Sequence, residues 1–167
     1  MMDLSSQTYR PSQIALHWVV VLGILVQWIA NEQIVRVVEA MQTGVTPVSA
    51  DVTMAWVHVS VGSLIFLAVL ARLFLRYRYG VPGHAPGTPK AQALIATWMH
   101  RALYAALFGM VITGGLTWNG VAPLGGIHFG LNNVLFGLAA LHGAAAVFNQ
   151  FIRKDGTLRR MIPALKG

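Results

Sequence analysis

The sequence has no cysteine, and this absence excludes several redox chemistries together. Without sulfur ligands, the 167 residues cannot form a disulfide, an iron–sulfur cluster or a thioether-attached heme. Charge is also scarce, because Asp, Glu, Lys and Arg make up only 10% of the residues, whereas a soluble domain has about 25%. Hydrophobic residues account for 56%. This composition predicts that lipid is the solvent of the chain.

The few charged residues are mostly basic, with twelve Lys and Arg against five Asp and Glu and a net charge of +7. In a soluble protein this excess would suggest a nucleic-acid partner. Here the basic residues flank apolar stretches, where positive charge sets the orientation of helices in a membrane. The predicted partner is therefore membrane lipid and not nucleic acid.

Four apolar stretches are long enough to cross a bilayer, which takes about 20 residues with roughly 17 as the lower limit. They cover about 13–30, 54–76, 94–118 and 127–152. The remaining segments, 31–53, 77–93 and 119–126, are interpreted as connections. The predicted fold is an all-α membrane protein, a four-transmembrane-helix bundle that forms a single domain over residues 1–167.

Basic residues lie almost entirely on one side of this predicted bundle. Only Arg36 falls on the opposite side, and the positive-inside rule therefore predicts a multi-pass protein with both termini cytoplasmic. The eleven residues on the cytoplasmic side are Arg10, Arg72, Arg76, Arg78, Lys90, Arg101, Arg153, Lys154, Arg159, Arg160 and Lys166.

Histidine is the only other ionisable residue type that occurs repeatedly in the apolar stretches. His84 lies in a connection rich in Pro and Gly, where a solvated side chain is expected. The other five histidines are His17, His58, His100, His128 and His142. Ionisable groups at membrane depth are costly and usually face the interior of a bundle, so these five are candidate functional residues.

The spacing of two histidines predicts two binding sites at different depths. His128 and His142 are fourteen residues apart, which returns them to nearly the same helix face about 21 Å apart along the axis. Two hemes stacked across a bilayer need ligands at such a separation. His58 lies at a depth that matches His128, whereas depth alone leaves both His17 and His100 as partners for His142.

Other uses of these histidines are less consistent with their distribution. Structural zinc gathers four ligands at one point, often with cysteine or carboxylate. A proton relay would also need Asp or Glu within the helices, and the four stretches contain none. A heme-free transporter lined by histidines is the alternative of a different class. Bis-histidine heme ligation, which suits electron transfer, is the favoured interpretation.

Several longer motifs resemble the bacterial di-heme cytochrome b561 family, whose members include the superoxide oxidase of the bacterial inner membrane. The matching segments are IALHW at His17, WVHVSVGSLIFLAVLARLFLRYRY around His58, HRALYAALFGMVITG from His100 and LHGAAAVFNQFIRKDGTLRRMIP from His142. Together they cover most of the four predicted helices and the basic tail. The resemblance therefore implies an inner-membrane protein with two b-type hemes.

The resemblance also implies how the histidines are used. His17 would pair with His142 at an inner heme and His58 with His128 at an outer heme. His100 would be a quinone-side residue or an alternative ligand. Ubiquinone would be the exchangeable partner, and superoxide a donor if the chain is a superoxide:ubiquinone oxidoreductase.

Three functional alternatives stay open at this stage. The chain could be a quinone-linked electron carrier, a superoxide oxidase, or the membrane anchor of a dehydrogenase or hydrogenase that acts with a redox partner protein. A superoxide donor calls for a positive outer surface, but the predicted outer face offers one basic residue, Arg36, against three carboxylates. On the inner side Arg10, Arg72 and Arg101 are candidate contacts for heme propionates or quinone.

Overall fold

The structure, a computed structural model that describes residues 8–85 and 87–165, has five α-helices in these ranges and no strand. They are α1 (Pro11–Ile29), α2 (Asn31–Thr43), α3 (Ser49–Tyr79), α4 (Lys90–Trp118) and α5 (Gly125–Phe151). Short 3₁₀ turns follow at Leu158–Arg160 and Pro163–Leu165. Four of the helices, all but α2, are long and apolar enough to cross a membrane. The predicted all-α fold with four spans is confirmed.

The helices extend beyond the apolar stretches that predicted them. α3 begins before residue 54 and continues past residue 76, and α4 begins before residue 94. Proline sets the starts, since Pro11 is the first residue of α1 and Pro89 immediately precedes α4. Hydropathy locates only the part of a helix that lies in hydrocarbon, whereas backbone hydrogen bonds continue through the polar turns beyond it.

Helix α2 occupies much of the segment that the sequence indicated as a connection. Its apolar residues Ile34, Val37, Val38 and Met41 recur at helical spacing and form one face of an amphipathic helix. The helix ends at Gly44, which has φ +72° and therefore adopts the left-handed conformation that glycine tolerates best. With 13 residues it is too short to span a bilayer, and its Val37 packs inward with 2% exposure.

The four long helices form two closely packed pairs, α1 with α3 and α4 with α5, while α3 meets α4 along less of its length. The first pair approaches closely at Gly23, where a Cβ atom would lie 2.7 Å from Cγ1 of Ile65. A central core joins both pairs. Its buried residues are Val20, Ile65, Ala68, Val69, Ala106, Leu107 and Leu135. Large apolar side chains such as Leu67 cover the outside, as expected for a surface that faces lipid.

Contacts near the helix ends define the two ends of the bundle. Gln13 at the start of α1 donates a hydrogen bond to the carbonyl of Gly80 just after α3. Gln92 at the start of α4 likewise bonds Asn149 near the end of α5. We call this the tail end, because the C-terminal segment returns here and its Met161 carbonyl accepts a bond from Trp18. The opposite end, which carries α2, is the α2 end. Lys166 lies outside the described residues.

Candidate functional site

The α2 end brings together two of the predicted histidines. His58 is in α3 and His128 is in the first turn of α5. Their imidazole rings have centroids 6.4 Å apart and planes inclined by 60°. Both side chains are partly buried between the helices. These helices are not one of the closely packed pairs, so the two rings face each other across a gap.

The tail end brings together the other three histidines. The rings of His17 and His142, from α1 and α5, have centroids 6.4 Å apart and planes inclined by 68°. His100 of α4 lies nearer to His142, with centroids 5.1 Å apart. Nδ1 of His100 is 2.7 Å from the carbonyl oxygen of Ala96, so it donates its hydrogen to the backbone. The structure therefore leaves two histidines beside His142, at different separations.

A separation of 6.4 Å fits two imidazoles that share one metal ion between them. Bonds from a metal to imidazole nitrogen are about 2.0–2.1 Å long. Each nitrogen lies about 1.1 Å from its ring centre, given ring bonds of roughly 1.3–1.4 Å. Two imidazoles that bind one metal ion can therefore have centroids up to about 6.3 Å apart. A zinc site would need at least three protein ligands gathered around one point. Within the described ranges, no group of three or more His, Cys, Asp or Glu side chains is placed to hold a metal in this way.

A cavity of about 570 Å³ adjoins the histidine pair at the α2 end. Its wall includes His58, His128, Gly62 and Gly114, and α2 closes part of it. This volume lies within the range of about 300–1,000 Å³ that is usual for small-molecule and cofactor sites. Nδ1 of His58 is buried and has no hydrogen-bond partner among the described residues. The residues at this end therefore fit a heme between the two histidines.

The glycines near these histidines have different roles. A Cβ atom on Gly114 would lie 2.9 Å from Cε1 of His128, so this glycine allows the imidazole ring to rest against α4. At Gly62, one turn after His58, a Cβ atom would lie 2.8 Å from Nε2 of Gln27. Gly143 beside His142 has open space where its Cβ would be. Close approach therefore requires glycine at Gly114, whereas at Gly62 the flexible end of Gln27 could move aside.

Two polar side chains at the α2 end were missed by the sequence reasoning. Oγ1 of Thr113 is 3.0 Å from Nδ1 of His128, and the Thr113 side chain is buried. Oε1 of Gln27 is buried without a partner in the described chain, and Gln27 lines the cavity. An isolated polar residue in an apolar helix was the available signal, because such a residue must find a partner within the bundle.

The three arginines predicted to contact cofactor are placed differently. Arg72 donates to the carbonyl of Gln13 at 2.8 Å and is close enough to His17, His100 and His142 to interact with them electrostatically. The guanidinium of Arg10 lies 3.9 Å from the ring centroid of Tyr79, and that of Arg101 lies 4.8 Å from the ring centroid of Trp98. Of these three arginines, the structure therefore brings only Arg72 to the histidine cluster, where Arg76 also lies close enough to His100 to interact with it electrostatically.

Negative charge predominates at the α2 end. Its one basic residue, Arg36, makes a two-point contact with Asp51, with hydrogen bonds of 2.7 and 2.8 Å, and lies 3.8 Å from Glu32. The hydrogen bond to Asp51 raises the pKa of Arg36 above its usual range, so the pair stays ionised. Glu39 is also exposed at this end. The α2 end therefore carries three carboxylates against one guanidinium, and of these carboxylates Glu39 lines the cavity.

Comparison with known proteins relates this arrangement to a family. A family model described as prokaryotic cytochrome b561 matches residues 8–164. Cytochrome b562 of Cereibacter sphaeroides is 31% identical over 156 residues, which is 92% of this chain and 94% of that protein. Cytochrome b561 homolog 1 of Escherichia coli K12 and the probable superoxide oxidase CybB of Yersinia pestis are each 27% identical, and each alignment covers 95% of this chain and 98% of the relative.

Proposed function

Because the chain belongs to the prokaryotic cytochrome b561 family, and is thus a heme-binding electron-transfer protein of bacterial membranes, we propose that it holds two b-type hemes. His58 and His128 would hold one heme at the α2 end. His17 and His142 would hold the other at the tail end. Electrons would pass between the two ends of the bundle, and the membrane would be the inner one.

The equal ring separations are the observation that carries this proposal. Both proposed pairs have centroids 6.4 Å apart, which would leave room for one metal ion bound by a nitrogen of each ring. Each pair joins α5 to the other helix pair, across the gap that close packing does not fill. His100 and His142, at 5.1 Å, are closer together than either proposed pair.

The protein's own residues would determine where electrons enter and leave. A heme with two histidine ligands supplies electron transfer and leaves no open coordination position for oxygen chemistry. The histidines would fix the depth of each site, and a buried apolar core links the helices that carry them. The chain would thus act as an electron-transfer protein with one redox site at each end of the bundle.

At the tail end we propose exchange with ubiquinone, near His100 and Arg72. Nδ1 of His100 is committed to the carbonyl of Ala96, which leaves Nε2 as an acceptor. Arg72 provides a fixed positive charge beside the same cluster. Reduction of a quinone takes two electrons and two protons, so Nε2 of His100 would take a proton from solvent and pass it to the reduced quinone, while the charge of Arg72 would stabilise the anionic form before that proton arrives. Direct contact of Arg10 and Arg101 with propionates or quinone stays a prediction.

The negative charge of the α2 end indicates what kind of electron donor would act there. Superoxide is an anion, and the excess of carboxylates over guanidinium at the α2 end, three against one, would repel it. We therefore favour a neutral donor or a docked protein over superoxide. In the second case the chain would be the membrane anchor of a dehydrogenase or hydrogenase.

Heme content is the test of the two-site proposal. We expect the detergent-purified protein to contain about two b-type hemes per chain by pyridine hemochrome, with sharp low-spin bands after reduction. His58→Ala and His17→Ala should each remove about one heme, from different ends. A colourless protein from heme-replete cells would instead support a heme-free transporter. A single heme in the unaltered chain would mean that one of the pairs is wrong.

Turnover of the isolated protein separates the remaining functions. A stand-alone carrier should reduce a ubiquinone analogue when it receives electrons from a neutral chemical donor, and a superoxide oxidase should do so with superoxide. A membrane anchor should carry its hemes and yet remain inactive with quinone until its partner is added.

A further inference from the structure

We propose that Thr113 is a positioning residue for His128, and that its hydrogen bond to this imidazole lowers the reduction potential of the heme at the α2 end. The inference rests on the proposed pairing of His58 with His128. Helix α4 contributes no proposed ligand at the α2 end. Through Thr113 it would nevertheless influence the reduction potential of the heme there.

The direction of the hydrogen bond follows from the other contacts of the threonine. Oγ1 of Thr113 is 2.7 Å from the carbonyl oxygen of Gly109, one turn earlier in α4. A carbonyl can only accept, so the single hydroxyl hydrogen of Thr113 is donated to it. The contact of 3.0 Å between Oγ1 and Nδ1 of His128 is then a bond that the imidazole donates, and the backbone of Met110, also in α4, is a second hydrogen-bond partner of this ring. This arrangement leaves the Nε2 lone pair of His128 free to bind iron.

The backbone beside Thr113 holds the same ring from a second direction. At Gly114 the nearest atoms to an added Cβ would be Cε1 and Nδ1 of His128, at 2.9 and 3.2 Å. The imidazole of His128 is therefore in contact with both Thr113 and Gly114, and these contacts restrict its rotation. Thr113 has 8% exposure, so water has little access to replace its hydroxyl.

The other histidine at this end has no such support. Nδ1 of His58 is buried and has no partner among the described residues. One ligand is therefore oriented by a protein hydrogen bond, whereas its partner ligand is not. A hydrogen bond donated by Nδ1–H makes an imidazole a more basic ligand, which favours ferric over ferrous iron. The chain Nδ1–H to Oγ1–H to carbonyl strengthens this effect, because each bond polarises the next.

The decisive variants are Thr113→Val, which keeps the shape and removes the hydroxyl, and Thr113→Ser, which keeps the hydroxyl and removes the methyl group. Redox titration of the visible bands should show a higher midpoint potential for one heme in the valine variant. The expected change is about threefold to tenfold in the equilibrium constant for reduction, or roughly 30–60 mV at 59 mV per tenfold for one electron. The affected heme should be the one that His58→Ala removes.

Further measurements separate orientation from a general effect on the fold. The low-spin ferric EPR signal of the same heme should shift in Thr113→Val, since the ring plane of His128 is no longer fixed. Thr113→Ser should retain the potential of the unaltered protein. Thr97→Val is the matched control, because Thr97 makes the same backbone hydrogen bond within α4, to Ala93, and makes no hydrogen bond to a histidine of the described chain. It should leave both potentials unchanged.

Three results would overturn the inference. One is an unchanged potential in Thr113→Val with both hemes present. Another is an equal shift in Thr113→Ser, which would assign the effect to packing of the methyl group. The third is a shift in the heme that His17→Ala removes. If the valine variant loses heme, Thr113→Ala removes the hydroxyl without branching and is titrated instead. If His58→Ala and His128→Ala both keep two hemes, the proposed pairing itself has failed.

Discussion

At the scale of single residues, Gly114 sets how close His128 can lie to α4. Replacing it with alanine would place a methyl group 2.9 Å from Cε1 of the imidazole, well inside contact distance. The ring must then move, and overpacking of this kind costs about 1–3 kcal/mol. We expect Gly114→Ala to reduce the heme content from about two toward one per chain, measured by pyridine hemochrome.

The control for this change is Gly130→Ala, in the same helix as His128. An added Cβ at Gly130 meets nothing within 4 Å. Alanine is also the better helix former by about 0.8–1.0 kcal/mol, so this variant should be at least as stable as the unaltered chain. Equal heme loss in both variants would show that glycine is needed for helix flexibility and not for the position of His128.

His100 is the second residue whose role can be separated from its neighbours. Its ring lies 5.1 Å from that of His142, whereas the ring of His17 lies at 6.4 Å. We expect His100→Ala to keep about two hemes and to slow electron exchange with a ubiquinone analogue roughly tenfold or more, since a positioned proton-transfer group contributes about 10²–10⁴-fold. Absorbance spectra and quinone reduction rates measure the two effects. Loss of a heme in this variant, with His17→Ala unaffected, would reverse the assignment at the tail end.

At the scale of secondary-structure elements, the sequence predicted the spanning helices and missed α2. Length and apolar content identify a span directly, because bilayer thickness imposes both. The bilayer imposes no length or composition on α2. Its apolar face can be explained only once the surface of α3 against which it packs is known. The same limit applied to His17 and His100, since depth follows from the sequence but ring separation depends on how helix pairs are arranged.

Helix α2 should be the least stable element, because it depends on one buried stripe and on the ion pair between Arg36 and Asp51. An exposed pair of this kind is screened by water and contributes little, whereas burying one valine side chain contributes about 1.5–3 kcal/mol. We expect Val37→Asp to release α2, with hydrogen exchange of backbone amides over 31–43 faster by roughly 10–100-fold. Val45→Asp makes the same chemical change at a side chain with 61% exposure and should have no such effect.

Release of α2 also tests what this helix does for the site. Because α2 closes part of the cavity beside His58 and His128, its loss should leave both hemes bound and make the one at the α2 end react faster with water-soluble reductants. If Val37→Asp instead removed that heme, α2 would be part of the binding site and not a cover.

At the scale of the whole molecule, two helix pairs meet through α3, α4 and a small core, and the histidines join them across the gap. Close packing alone therefore does not complete this bundle. Metal ligands in separate helices gain their binding energy only when the helices are correctly placed, so cofactor binding and assembly should stabilise each other. The apparent stability of the protein should accordingly depend on heme supply during synthesis.

Orientation in the membrane is a property of the whole molecule, and the absence of cysteine makes it simple to measure. Thr46 is exposed at the α2 end, and Gly83 is exposed at the tail end with space for a side chain. If the basic tail end is cytoplasmic, Thr46→Cys should react with a membrane-impermeant maleimide in intact spheroplasts, and Gly83→Cys only after lysis. The reverse pattern would place the three carboxylates of the α2 end in the cytoplasm. Electrons would then enter from the cytoplasmic side and reach quinone near the outer surface, so the predicted orientation would be wrong while the path between the two ends of the bundle stayed the same.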